Sequence, residues 1–144
     1  MNQLRRPFID SLLVLVLAAF SITSVHAQEK PEQLAQHSAE SWLALVDSGR
    51  YAESWQEAAS LFKAHVSSEQ WQSMVKPVRE PLGKVASRKL KSATSTKTLP
   101  GAPDGEYVVI QYDTSFEHKQ SAVETITPML DKDGKWRVSG YFIK

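Results

Sequence analysis

The chain has 144 residues and no cysteine. That excludes disulfides, thiolate catalysis, Cys-ligated zinc and a lipidated leader, whose cleavage site requires cysteine. Its 17 Lys and Arg stand against 16 Asp and Glu, so no overall charge argues for nucleic acid or an anionic membrane as partner.

Residues 1–27 have the order of parts of a cleavable secretory leader. Arg5 and Arg6 form a positive start, Leu12 to Phe20 is almost wholly apolar, and Val25-His26-Ala27 places Ala directly before Gln28. The apolar run from Leu12 to Ile22 falls short of the roughly 20 residues that span a bilayer, so cleavage is expected rather than stable membrane insertion. The expected address is the periplasm or the exterior. Arg5, Arg6 and Asp10 leave with the leader, and what remains, 28–144, is neutral overall. It suits one domain with a core that needs no staple. Within it, 28–60 holds six acids and two bases, and 61–100 holds two acids and eight bases. Such a basic block is most simply a solvated face or the partner of the acidic first helices.

Leu34, Ala35, Ser38, Ala39, Trp42, Leu43, Leu45 and Val46 recur at helical spacing, with Gly49 as the stop. A second helix is predicted over Tyr51 to His65, with Tyr51, Trp55, Ala58, Ala59 and Phe62 on its apolar face. Ser67 and Gln70 form a capping box that opens a third helix. Trp71, Met74, Val75, Val78 and Leu82 lie on its inner side, Pro77 kinks it, and Pro81-Leu82-Gly83 ends it. The tetrapeptide Ala-Glu-Ser-Trp occurs at 39–42 and 52–55, but a helical repeat array needs several copies to bury its faces.

From Val85 the period changes. Val85 to Ser95, rich in Ser, Thr and Lys, reads as an edge strand. Leu99 to Gly105 is a turn-rich loop, and its prolines remove the donors a phosphate loop would need. Glu106 to Phe116, Ala122 to Leu130 and Trp136 to Ile143 are further strands, with Pro128 marking a bulge or an edge. Helices followed by an antiparallel meander make an α+β domain, three helices on four strands.

Asp133-Gly134 suits a two-residue type I′ turn, which pairs Lys132 with Lys135, Met129 with Val138 and Glu124 with Ile143. A preceding turn centred on His118-Lys119 sets Asp113 opposite Glu124 and Ile110 opposite Thr127. Because side chains alternate, one face then carries Val108, Ile110, Tyr112, Val123, Met129, Trp136, Val138 and Phe142, and is assigned to the helices. The other carries Tyr107, Val109, Gln111, Asp113, Glu124, Ile126, Leu130, Arg137, Tyr141 and Ile143. That mixed face is too apolar for plain solvent. It lines a pocket or meets another subunit.

The stretch from Trp42 to Gly49 with Tyr51-Ala52-Glu53-Ser54-Trp55 resembles a bacterial family of exported proteins, domain of unknown function 4019. So do Arg79 to Gly83, Ser87-Arg88, Leu99 to Tyr107, Glu124-Thr125, Asp133 to Trp136 and Val138 to Tyr141. The resemblance covers nearly all of 28–144 and implies an exported protein without a known activity. Pro77 is the irregular position. The layout is also similar to the cone-shaped fold of nuclear transport factor two and the cystatin-like group. There, helices pack on a curved sheet and can leave a pocket at the wide end. That is fold-level analogy and implies no chemistry.

Opposed carboxylates at Asp113 and Glu124 would hold one proton tightly, which suits acid–base work, unless Arg88 or Arg137 turns them into an ion network. Arg79 and Arg88 sit at the helix-to-sheet transition, where a guanidinium could clamp a carboxylate or phosphate, or pin Glu80 or Glu124. His37, His65 and His118 have no ligand spacing. Ser38, Ser54 and Ser87 lack a nucleophile-elbow context. Trp42, Trp55, Trp71 and Trp136 read as core. No metal or cofactor is expected. The expected binding residues are Arg79, Arg88, Tyr107, Gln111, Asp113, Glu124 and Tyr141. Three functions stay open: an exported, non-enzymatic domain binding a small ligand or envelope partner in its sheet–helix cleft; a homodimer through the mixed face; and an acid–base enzyme using Asp113 and Glu124.

Overall fold

In the computed structural model, which describes residues 27–144, helices precede strands as the change of period requires. The predicted leader lies outside the described residues but for Ala27. The helices are α1 (Pro31–Asp47), α2 (Tyr51–Gln56), α3 (Ser60–His65) and α4 (Ser68–Arg79), followed by a 3₁₀ turn over Glu80–Leu82. Strands β1 (Val85–Thr96), β2 (Tyr107–Phe116), β3 (Lys119–Leu130) and β4 (Trp136–Ile143) form one antiparallel meander in the order β1-β2-β3-β4. Among the described residues, no helix is long and apolar enough to cross a membrane.

α1 starts on Pro31 at its first helical position, where the missing N–H costs nothing. It ends as expected at Gly49, through Arg50 N–H to Leu45 O (2.9 Å) and Gly49 N–H to Val46 O (3.0 Å), the paired bonds of a Schellman stop. Its buried stripe is Ala35, Ala39, Trp42, Leu43 and Val46. The Ser67–Gln70 capping box is present in both directions, at 3.2 and 2.9 Å. Pro77 lies inside α4, which stops at Arg79.

The predicted second helix is two helices. The chain extends at Ala59, whose N–H donates to Val138 O on β4 at 2.8 Å. Ala58 and Ala59 are wholly buried. Their small side chains let the backbone reach the sheet, and that bond outcompetes continuation of the helix. The described residues therefore form four α-helices where the sequence predicts three.

The register departs from expectation in two places. The β2–β3 hairpin closes on Phe116↔Lys119, so Glu117 and His118 form the turn, and a bulge follows between Thr114 and Phe116. The turn is fixed there by Glu117 N–H to Lys84 O (2.8 Å) and His118 N–H to Leu82 O (2.9 Å). As a result Tyr112 opposes Glu124, Asp113 opposes Val123 and Ile110 opposes Ile126. This one-residue slip exchanges the faces of β3. Glu124 and Ile126 turn inward, and Val123 and Met129 turn outward.

The β3–β4 turn is also different. Among the described residues no non-glycine residue has a positive φ, and Gly134 has φ 79°, so a type I′ turn with Asp133 in the left-handed region does not form. Instead Asp131 N–H meets Lys135 O at 2.8 Å and Gly134 N–H meets Asp131 O at 2.9 Å, a three-residue loop with glycine at the left-handed position. Pro128 then opposes Val138, and Met129 opposes Arg137. The bulge expected at Pro128 lies between Thr127 and Pro128, on an interior strand, and restores Glu124↔Ile143 beyond it. After that bulge Tyr141 packs on the core and Phe142 is half exposed, the reverse of the expected sides.

The core joins the α1 stripe and Tyr51, Trp71 and Val75 to Val108, Ile110, Tyr112, Ile126 and Val138, with Trp55 and Trp136 packed against it. All four tryptophans therefore serve packing. Ser54 is the polar hub of two of them: its carbonyl accepts Trp42 Nε1–H at 2.7 Å and its hydroxyl accepts Trp71 Nε1–H at 2.9 Å.

Candidate functional site

Four of the seven expected site residues meet on the helix side of the sheet. Arg79 ends α4, Arg88 lies on β1, Glu124 on β3 and Tyr141 on β4. Asp47, the last residue of α1, and Thr114 on β2 complete the group. Arg88 forks between two carboxylates: Nε and Nη2 donate to Glu124 at 2.7 and 3.1 Å, and Nη1 and Nη2 donate to Asp47 at 2.8 and 3.1 Å. Arg79 Nη2 donates to Asp47 Oδ1 at 3.2 Å, and its guanidinium carbon lies 4.8 Å from the Phe116 ring centre. The Thr114 hydroxyl reaches Glu124 at 2.6 Å, and the Tyr141 hydroxyl donates to the same carboxylate.

Two guanidinium and two carboxylate groups balance. Burial acts against the Arg88 charge, but the bonds and charges of Asp47 and Glu124 outweigh it and raise its pKa. Burial and the charge of Glu124 raise the Tyr141 pKa, so its phenol remains a donor. Each Glu124 oxygen accepts two hydrogen bonds, and its side chain is 0% exposed. Such a carboxylate has no lone pair left to take a proton from a substrate. This is the ion network that an arginine beside Glu124 is expected to make. It lies between the helices and the sheet, where the sequence places a ligand.

The Asp113–Glu124 dyad does not form. Asp113 lies on the other face, exposed, with Lys91 Nζ at 3.8 Å. Gln111 shares that outer face, half-buried beside Thr125. Tyr107 is buried under the loop that precedes it, its hydroxyl donating to Pro103 O at 2.6 Å. Among the described residues, no three His, Asp or Glu side chains could hold a metal ion.

Sequence reasoning misses Asp47 and Thr114, though each carries a signal. An acid in the last turn of a helix opposes the macrodipole, which implies a cation nearby. A threonine at an inward position of β2 interrupts an apolar alternation, which implies a buried partner.

A different place offers open volume. A cavity of about 680 Å³ lies between α3, the loop before β2 and the β3–β4 hairpin. Leu61, Ala64, Pro103, Tyr107, Met129 and Leu130 give it an apolar lining; Ser60, Asp104, Glu106, Asp131 and Lys132 rim it. A charged cleft of about 540 Å³ adjoins it, sharing Ser60, Asp131 and Lys132 and adding Glu57, Lys63, Asp133, Lys135 and Arg137. The shared wall is held by the Asp131 carboxylate, which accepts Ser60 N–H (2.8 Å), Ser60 Oγ–H (2.9 Å) and Lys132 N–H (2.8 Å). Asp131 thus caps α3, a service that Ala59 at the N-cap cannot provide.

A family model described as Protein of unknown function (DUF4019) matches residues 38–141, a span that contains the whole ionic cluster and this cavity. No curated protein matches the chain.

Proposed function

We propose that this chain, which belongs to the domain of unknown function 4019 family, is exported and acts in the cell envelope as a non-enzymatic binding domain. Its occupant is a small ligand with an apolar body, held between α3, the Pro103–Tyr107 loop and the β3–β4 hairpin. One observation carries this: the cavity of about 680 Å³ has the size and the apolar lining of a ligand pocket. The ionisable groups that could have done chemistry are instead hydrogen-bonded to one another. Export is supported by the residue pattern of the leader alone.

Native mass spectrometry of the full chain, expressed with its leader and recovered from the periplasm, tests both halves. The expected mass begins at Gln28 and carries a small adduct. The adduct is lost when Leu61→Trp fills the cavity. Absence of the chain from the periplasmic fraction overturns export, a periplasmic mass that retains Met1 overturns cleavage, and an adduct indifferent to Leu61→Trp overturns the site. The homodimer is a second reading, favoured by Phe142, 50% exposed on the outer face. It is supported if the same spectrum shows a doubled mass that Phe142→Ser halves.

A further inference from the structure

We infer that the ligand is an anionic amphiphile, an apolar chain ending in a carboxylate, phosphate or sulfate; this rests on the apolar cavity being the binding site. The charges around the adjoining cleft decide it. Arg137 is neutralised by Asp133 at 2.7 Å, with Glu57 and Asp131 at 3.8 and 3.9 Å. Asp131 turns its oxygens into the amides of Ser60 and Lys132. Three lysines of the same cleft, Lys63, Lys132 and Lys135, have no carboxylate within 4.0 Å among the described residues. The acids of the cleft are thus spent on Arg137 and on backbone amides. Lys63 donates to Gln56 O at 3.0 Å, and the exposed Lys132 and Lys135 face solvent.

Lys132 lines both spaces. A chain lying along Leu61, Met129 and Leu130 therefore delivers its head to Lys132 and Lys135. Glu106, on the same cavity, is paired with Lys97 at 3.9 Å, so the open charges that meet the head are those of Lys132 and Lys135. The head then lies toward the hairpin, over Lys132 and Lys135. A cationic amphiphile would meet two open ammonium groups, Lys132 and Lys135, at the end where its head must lie.

Calorimetric titration of the leaderless chain with dodecanoate, dodecanol, dodecyltrimethylammonium and inorganic phosphate, each below its aggregation limit, separates the possibilities. Dodecanoate is expected to bind one to one, at least about tenfold tighter than the trimethylammonium compound. The double variant Lys132→Ala, Lys135→Ala should weaken dodecanoate by about tenfold, two exposed pairs' worth, and leave dodecanol unchanged. Equal binding of all three chains overturns the anion inference and keeps the apolar site. Phosphate binding as tightly as dodecanoate overturns the apolar site, and no binding by any chain overturns both.

Discussion

Glu124 shows how one side chain is constrained from several directions at once. It accepts bonds from β1, β2 and β4 while sitting on β3, so it ties every strand of the sheet to its neighbours. Removing its charge leaves Arg88 buried with Asp47 alone. Loss of one partner from a buried pair costs on the order of 3 kcal/mol, and Glu124→Gln should lower the urea midpoint by a corresponding amount at unchanged slope. Asp113→Asn, one position away in register but on the exposed face, should change stability by less than about 0.5 kcal/mol. Equal effects of the two variants would contradict the pairing of Glu124 with Tyr112. Asp47 and Glu124 also explain the uneven charge of the sequence. The basic block spends Arg79 and Arg88 on these internal acids; Lys89 and Lys91 remain along the exposed edge strand, where lysine discourages further pairing.

At the scale of elements, local signals are reliable where the local chain supplies the partners and fail where a distant segment does. Both halves of the Ser67 box and the Gly49 stop lie within five residues of their partners, and both form as predicted. The break at Ala59 and the turn at Glu117-His118 depend on Val138 and on Leu82 and Lys84, which no window around them contains. Two glycines separate turn chemistry from tertiary fit. Gly134 (φ 79°) has nothing within 4 Å of an added Cβ, whereas at Gly83 (φ 73°) that atom would lie 2.9 Å from Glu117 Cβ. Gly134→Ala should cost about 1 kcal/mol from the left-handed backbone alone. Gly83→Ala should cost clearly more, read as a larger drop in thermal midpoint. The reverse order would remove the docking of the 117–118 turn. The α3 cap has a pH signature. Burial acts to raise the Asp131 pKa, and the bonds from Ser60 and Lys132 outweigh it, leaving the group below its ordinary value. A lowered folded pKa contributes stability that is complete above the unfolded value of about 3.9 and is lost as pH falls through the folded one. The Ser60 and Lys132 amide resonances should therefore hold steady from pH 7 to about 5 and move only below about 4. A titration of either amide near pH 6 would contradict the cap.

At the scale of the whole molecule, the class of the fold was legible because the change from helical to alternating period is a property of long segments. The side that each strand shows was not, because a single-residue slip at a turn inverts a strand while leaving its pattern intact. β2 kept its expected faces, and β3 and the end of β4 did not. The candidate site shared that fate. Its arginines were visible at the helix-to-sheet junction, but their partners depended on register, and the cavity lies among residues whose apolar character looks like ordinary core. Most of the α1 stripe, Trp71 and the inward side chains of β2, β3 and β4 belong to one cluster, so neither layer has a core of its own. Helices and sheet should then unfold together. Far-ultraviolet circular dichroism, which follows the helices most strongly, and the fluorescence of Trp42 and Trp71, which report the interface between layers, should give the same midpoint and slope in urea. Ser54→Ala leaves the Trp71 indole N–H without its acceptor, a buried donor unsatisfied at a cost of roughly 1–3 kcal/mol. It should move both curves together. If fluorescence changed at lower urea than ellipticity, the helices would be stable without the sheet, and the single core would be two.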